Sequence, residues 1–272
     1  MKKVRADEML LEAYSLESIT LARALIMEGR VVYNGQKVMH PSDRLSIGKE
    51  IRVLGEIDKY ASRGAHKLKK ALEVFDVDIH GKVCIDVGSS TGGFTDVMLR
   101  TGAALVYAVD VGYNLLDYRL RSDERVVCLE RTNARAIDPE MFSPQPSFGA
   151  TDVSFISLRL ILPPVFSVLR PGSRFIALVK PQFEALQEQV GPGGIVRDPA
   201  VHADVLYGIE EFIDQKTDWK VNGLDYSPIR GTEGNIEFLL DLIEKDNSVI
   251  PFRPYSIEQI IKEAYYKLIK SD

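Results

Sequence analysis

The chain has 272 residues, 45% hydrophobic and 27% charged, too apolar for wholesale disorder and long enough for one full-sized domain plus a small module. No run approaches the roughly 20 uncharged apolar residues of a membrane-spanning helix, and the start Met-Lys-Lys-Val-Arg lacks the apolar stretch of a secretory leader, so a cytoplasmic location is expected. A formal net charge of -5 argues against a surface that coats nucleic acid as a whole and leaves only local patches; residues 1–60 hold 10 Lys+Arg against 9 Asp+Glu, the remainder 24 against 30.

Along the chain, Met9, Leu10, Ala13 and Tyr14 share one helical face, and Ile19, Ala22, Leu25 and Ile26 share another before Gly29. The run VVY, the turn dipeptide Asn34-Gly35 and QKV then predict a hairpin, and IRVL a further short strand. GEIDKYASRGA is polar, carries two glycines and has no period, which suits a linker. Beyond it strands and helices alternate: strand VCIDVG, a helix to Arg100, strand LVYAVDV, a short helix from Leu115 to Arg121, and strand VVCLE. Strand FGATDVS, a helix from Ser157 to about Leu169, and strand RFIALVK follow. A helix from about His202 to Asp214 leads to strands WKVNGLDYS and NIEFLLDLIE, close enough to pair, and Ser256 to Lys270 reads as an exposed or docking helix. Such alternation predicts a parallel sheet. Cys84 and Cys128 lie inside apolar runs and read as core residues, while His66, His80 and His202 read as surface or capping residues; no pair has metal-ligand spacing, so no metal is expected.

The stretch Cys84-Ile85-Asp86-Val87-Gly88-Ser89-Ser90-Thr91-Gly92-Gly93-Phe94 puts a carboxylate at the end of a strand and glycines in the turn that opens a helix. Gly88, Ser89, Gly92 and Gly93 would let a ligand approach the backbone, and Asp110, ending the next strand, would accept the hydroxyls of a ribose. A dinucleotide site wants Gly-x-Gly-x-x-Gly for its pyrophosphate; here the pattern is Gly-x-x-x-Gly-Gly with the extra carboxylate Asp86, which favours S-adenosylmethionine, with its ammonium and sulfonium. A turn serving chain reversal alone is the bland alternative. Asn133, after strand VVCLE, is a candidate for adenine contact or an ordinary turn residue. The Gly-containing loop from Glu188 to Asp198 is either a lid over a substrate or a plain connection.

Six stretches in order, SRGAHKL (62–68), DVGSSTGGFTD (86–96), AVDVGYN (108–114), TDVSFISL (151–158), LVKPQFE (178–184) and SPIRGTEGNIEFL (227–239), resemble the TlyA (hemolysin A) type of FtsJ-like ribosomal RNA 2'-O-methyltransferases. The resemblance implies a doubly wound, Rossmann-like α/β methyltransferase sheet preceded by a small α+β S4-type RNA-binding module, with the module at 1–55, a linker at 56–64, the catalytic domain at 65–246 and a helical tail at 247–272. It implies S-adenosylmethionine as cofactor, ribosomal RNA or a ribosomal subunit as partner, cytidine as target, and a catalytic tetrad of Lys67, Asp152, Lys180 and Glu237. In the module, Ser18-Ile19 stands where the family has Ser-Arg, so RNA binding falls to Arg5, Arg23, Arg30, Lys37 and Arg44. The hemolysin label implies membrane lysis, but no cationic amphipathic segment supports it.

Attack by a ribose hydroxyl on a sulfonium methyl needs a base, and an isolated lysine is neutral only about once in 10³ at pH 7, a barrier of roughly 4 kcal/mol. Burial and a second ammonium would both favour the neutral amine, so Lys180 is expected to be the base with Lys67 beside it, Asp152 orienting Lys180, and Glu237 holding Lys67 or the ribose. Taken singly, Lys180 is a solvated strand cap, Lys67 an exposed helix lysine and Glu237 an alternating strand residue. An RNA-binding or ribosome-assembly factor without catalysis is the rival reading.

Overall fold

The computed structural model describes residues 3–14, 16, 19–27, 29–54, 60–247 and 249–269. Ser18, residues 55–59 of the expected linker and Lys270 lie outside them. The chain divides into two compact units, Met1–Arg63 and Gly64–Asp272.

The first unit is built from β1 (Lys3–Arg5), α1 (Ala6–Tyr14), α2 (Ile19–Met27), β2 (Val31–Tyr33), β3 (Gln36–Lys37), β4 (Arg44–Ser46) and β5 (Ile51–Val53). The apolar faces of the helices meet in a core of Ala6, Leu10, Ala22, Leu25, Ile26, Val31, Val38 and Leu45. Asn34 and Gly35 both take positive φ, as a two-residue hairpin turn between right-twisted strands requires, and β3-β2-β5 form one antiparallel sheet. β1 and β4, which pair with each other, were not anticipated, because three residues are too few to show a period of two.

The second unit holds α3 (Ala65–Val74), β6 (Val83–Val87), α4 (Gly93–Arg100), β7 (Leu105–Val109), α5 (Tyr118–Arg121), β8 (Val126–Leu129), β9 (Phe148–Thr151), α6 (Leu158–Ser167), β10 (Arg174–Val179), α7 (Pro199–Lys216), β11 (Trp219–Tyr226), β12 (Phe238–Glu244) and α8 (Ile257–Leu268). The sheet order is β11-β12-β10-β9-β6-β7-β8, parallel except that β12 runs against β10 and β11. The parallel strands are those the alternation predicts, and the whole is the doubly wound α/β sheet the resemblance implies. From central β6 the chain winds outward through β7 and β8, then returns to start β9 on the other side, so the carboxyl ends of β6 and β9 flank the crevice where such sheets bind ligands.

Helix α3 carries Lys67 as a helix lysine, but buried rather than exposed, together with Ala65, Leu68, Ala71 and Leu72; the sequence assigns it no span, since Lys69 and Lys70 interrupt its apolar face. Helix α7 begins at Pro199, three residues before the predicted start, with Asp198 as its N-cap. His202 corrects the surface reading: it is fully buried, edge-on to Phe238, and burial pushes its imidazole down to about 4. Helix α8 places Ile257, Ile261 and Ala264 in the main core and belongs to this unit. Cys84 is buried and Cys128 half-buried, both unpaired. Among the described residues no helix is long and apolar enough to cross a membrane, and no group of side chains could hold a metal ion.

Candidate active site

Three of the four expected tetrad members sit just off strand ends on one edge of the sheet. Asp152 follows β9 and Lys180 follows β10. Glu237 precedes β12, and because β12 is antiparallel to β10, its beginning lies beside the end of β10, with Phe238 opposite Val179. Lys67 arrives from the buried face of α3. Its Nζ lies 3.0 Å from Asp152 Oδ2 and 2.8 Å from Glu237 Oε2. Lys180 Nζ lies 2.6 Å from Asp152 Oδ1 and donates to Ser154 Oγ at 2.8 Å. One carboxylate therefore holds both ammonium groups.

The surroundings of Lys67 favour its charge. Burial opposes the charge on Lys67, but Asp152 and Glu237 outweigh it, and its ammonium is held above the ordinary lysine range. The two carboxylates, not a neighbouring ammonium, govern Lys67. Burial likewise opposes ionisation of Asp152, and Lys67 and Lys180 together overcome that, leaving its carboxyl below the usual range. Glu237 shows the reverse balance: burial, with Asp152 adding to it, outweighs Lys67 and raises its carboxyl. Lys67 thus faces two acids, whereas Lys180 faces one acid and a neutral hydroxyl.

Beside the tetrad is a cavity of about 540 Å³ whose lining includes Gly88, Ser90, Asp110, Asn133, Ser154 and Phe155. Gly88 takes φ +83°, and a Cβ there would lie 2.9 Å from Val153 Cγ1 and 3.0 Å from the Asp152 carbonyl, so only glycine leaves this backbone unobstructed. Asp110 accepts from the backbone N–H of Ser90 and Gly112, one on each oxygen, which fixes the carboxylate at the cavity wall with lone pairs to spare. Asn133 accepts from Arg135 N and caps a single 3-10 turn while bordering the cavity. These residues suit S-adenosylmethionine: acceptors for a ribose diol, a side-chain-free turn, and apolar walls from Val109, Val111 and Ile156.

Other expected cofactor residues stand behind the wall. Asp86 is buried and accepts from both the backbone N–H and the hydroxyl of Thr95 through Oδ2, while Oδ1 has no protein partner; burial, with Thr95 opposing, pushes its carboxyl up to about 7. Gly92 takes φ +98°, and a Cβ would collide with Leu116 and Leu120, so packing on those residues demands its glycine rather than a ligand's approach. Ser89 and Gly93 are buried in the same turn.

The family follows from comparison with known proteins. A model described as FtsJ-like methyltransferase matches residues 60–243, and an S4 domain model matches residues 4–51. The chain belongs to the TlyA type of the FtsJ-like methyltransferase family. It is 40% identical over 240 residues, 88% of this chain and 89% of the other, to the 16S/23S rRNA (cytidine-2'-O)-methyltransferase TlyA of Mycobacterium tuberculosis. A Bacillus subtilis protein, YqxC, provisionally named an rRNA methyltransferase, is 50% identical over 242 residues, covering 89% of this chain and 86% of its own. The solved structure of a Streptococcus thermophilus protein, provisionally called a hemolysin, superposes with a TM-score of 0.77 at 44% identity, covering 100% of this chain and 98% of that one.

Two further features of this FtsJ-like site escaped the sequence reading. Phe155 is 88% exposed at φ +62°, tilted against Phe183 at 5.1 Å between ring centres. Glu184 accepts from Ser157 Oγ, Leu158 N and Arg159 Nη1, tying the segment after Lys180 to the segment after Asp152. The loop 188–198 is tied down as well: Asn235 accepts from Val196 N and donates to the Gly194 carbonyl.

In the S4 unit, the expected RNA-binding arginines Arg5 and Arg23 both contact the fully buried carboxylate of Asp7, at 2.8 and 2.9 Å. Arg30 donates to the Leu54 carbonyl. Lys37 and Arg44 are exposed.

Proposed function

We propose that this protein methylates the 2'-hydroxyl of a cytidine ribose in ribosomal RNA, in the cytoplasm, with S-adenosylmethionine as donor, Lys180 as base, and the S4 unit as the RNA-docking module. The carrying observation is the asymmetry of the lysines, Lys67 clamped between two carboxylates and Lys180 between one carboxylate and a hydroxyl that borders the cavity. When bound, S-adenosylmethionine would supply the electrophilic methyl group, its sulfonium being the leaving group as a neutral thioether. Gly88, Asp110 and Asn133, which line the cavity, would hold it. Lys180 Nζ accepts the proton of the sugar hydroxyl as the oxygen attacks. Asp152 stays ionised, orients the amine, and stabilises the ammonium that results. Lys67, whose charge the two acids favour, shares Asp152 with Lys180 and neutralises that carboxylate in part, and Glu237 anchors Lys67. Exposed Phe155 offers a face on which the target base stacks.

Support for the substrate is the relationship to the Mycobacterium tuberculosis enzyme, whose name specifies cytidine 2'-O-methylation of both ribosomal RNAs. The test is a transcript-wide map of ribose methylation on ribosomal RNA from cells with and without this protein, with a Lys180→Ala chain in a third arm. Loss of methylation at defined cytidines in both deficient arms is expected. Unchanged maps would refute the substrate, and would favour an assembly factor that binds without catalysis.

A further inference from the structure

The bond from Lys180 to Ser154 has no counterpart in the tetrad. Nζ lies 2.8 Å from Ser154 Oγ and 2.6 Å from Asp152 Oδ1, and no third protein partner meets it among the described residues. A charged lysine carries three N–H groups in tetrahedral directions; the neutral amine carries two and a lone pair. When the carboxylate and the hydroxyl each hold one N–H, the lone pair is left only the remaining direction.

We infer that Ser154 is a positioning residue that fixes rotation about the Cε–Nζ bond of Lys180, so that the neutral amine aims its lone pair at the sugar hydroxyl. The inference rests on Lys180 being the base. A single bond to Asp152 would leave the amine free to turn about that contact, and most orientations would point an N–H at the substrate oxygen. A second carboxylate would fix the orientation too, but it would hold the proton, as the two acids on Lys67 do. A neutral acceptor orients without that cost. The charged groups about Lys180 are Asp152 after β9, Glu237 ahead of β12 and Lys67 from α3, so Ser154 is the uncharged member of the shell. Its place is set from both sides: Asp152 precedes it at the end of β9, and three residues later the Ser157–Arg159 segment is fastened by Glu184, from the same stretch that carries Lys180. Ser154 also borders the cavity suited to the donor, so the hydroxyl that orients Lys180 lies on the donor's side.

The test uses the full chain in single-turnover methyl transfer from labelled donor to undermethylated ribosomal subunits, followed across pH, for wild type, Ser154→Ala, Ser154→Thr and Lys180→Met. Losing one hydrogen bond to a charged group predicts a plateau rate about tenfold lower for Ser154→Ala, with the KM for donor and for RNA within about twofold. The acidic limb of its pH profile moves to lower pH, because the hydroxyl accepts a stronger bond from the ammonium than from the amine. Ser154→Thr, which keeps the hydroxyl, returns to within about threefold of wild type. Should the alanine variant melt early, Ser154→Cys, nearly isosteric and a weak acceptor, takes its place. A wild-type rate and limb for Ser154→Ala, a loss confined to KM, or failure of threonine to rescue would each overturn the inference, while an inactive Lys180→Met in the same assay shows the base assignment standing. Wild-type activity of Lys180→Met would instead remove the reading beneath it.

Discussion

Replacing Lys67 by methionine removes the cation that bridges two buried acids while keeping most of the volume. Glu237, 2% exposed at its side chain, loses its 2.8 Å partner, and Asp152 is left to Lys180 alone. Breaking a buried pair by deleting one charge costs about 3–5 kcal/mol, because the other charge stays behind unsolvated. The cost depends on pH. The Glu237 carboxyl already sits above its ordinary value of 4.5, and without Lys67 it moves higher. A carboxyl raised in the folded state keeps its full stability below the unfolded value and loses it as pH rises toward the folded one. The penalty is therefore larger near pH 8 than near pH 5, which lies closer to the ordinary carboxyl value, where proton uptake by the raised carboxyl relieves it. Urea unfolding of both chains at the two pH values measures it. Adding Glu237→Leu to the variant removes the orphaned acid and recovers most of the loss at pH 8. A penalty below about 1 kcal/mol, or one equal at both pH values, would refute the assignment of Lys67 as the ion that neutralises the pair.

In the S4 unit, burial notwithstanding, the hydrogen bonds from Arg5 and Arg23 hold the Asp7 carboxyl at about 2. A depressed acid contributes stability above its unfolded value that is lost as pH falls through the folded one, so Asp7→Asn costs about 1–2 kcal/mol at pH 7, after discounting for half-exposed arginines, and only a small fraction of that near pH 2; hydrogen exchange of the α1 amides reads this, and equal protection in both chains at pH 7 would contradict it. Gly88→Ala forces a Cβ to within 3.0 Å of the Asp152 carbonyl at a positive φ, and calorimetric titration with S-adenosylhomocysteine is expected to show affinity reduced at least about tenfold, whereas wild-type affinity would mean the turn does not touch the donor. Phe155→Ala is expected to leave the melting temperature within about 1 °C, since the ring is exposed, and to lower kcat/KM for RNA by about tenfold through lost base stacking; an unchanged value would remove the stacking role.

Much of the site was legible because polar residues end apolar runs. Asp152 and Lys180 close FGAT and RFIALV, and in a parallel sheet such residues gather on one edge whatever the loops between them do. Glu237 joined them only because β12 is reversed, and the sequence placed it inside a strand that begins one residue later. Lys67 was reachable through family resemblance alone, since the lysines of α3 mask its buried face. The direction of the Asp86 side chain was not legible: β6 is buried on both faces, so alternation carries no information about which side a residue takes. Ser154 and Glu184 act on partners 26 and 27 residues away in the chain, Lys180 and Ser157, which no local pattern reports. His202 did have a signal, for it falls on one helical face with Leu206, Ile209 and Ile213, and that period outweighs its polarity.

The account stands most directly on whether the amine of Lys180 takes the ribose proton. Single-turnover transfer of labelled methyl groups to undermethylated ribosomal subunits, compared between wild type and Lys180→Ala at saturating donor and RNA, measures that step alone. A rate reduced by about 10³-fold or more, with S-adenosylhomocysteine binding intact, is the predicted result. Equal incorporation by the two chains would contradict it.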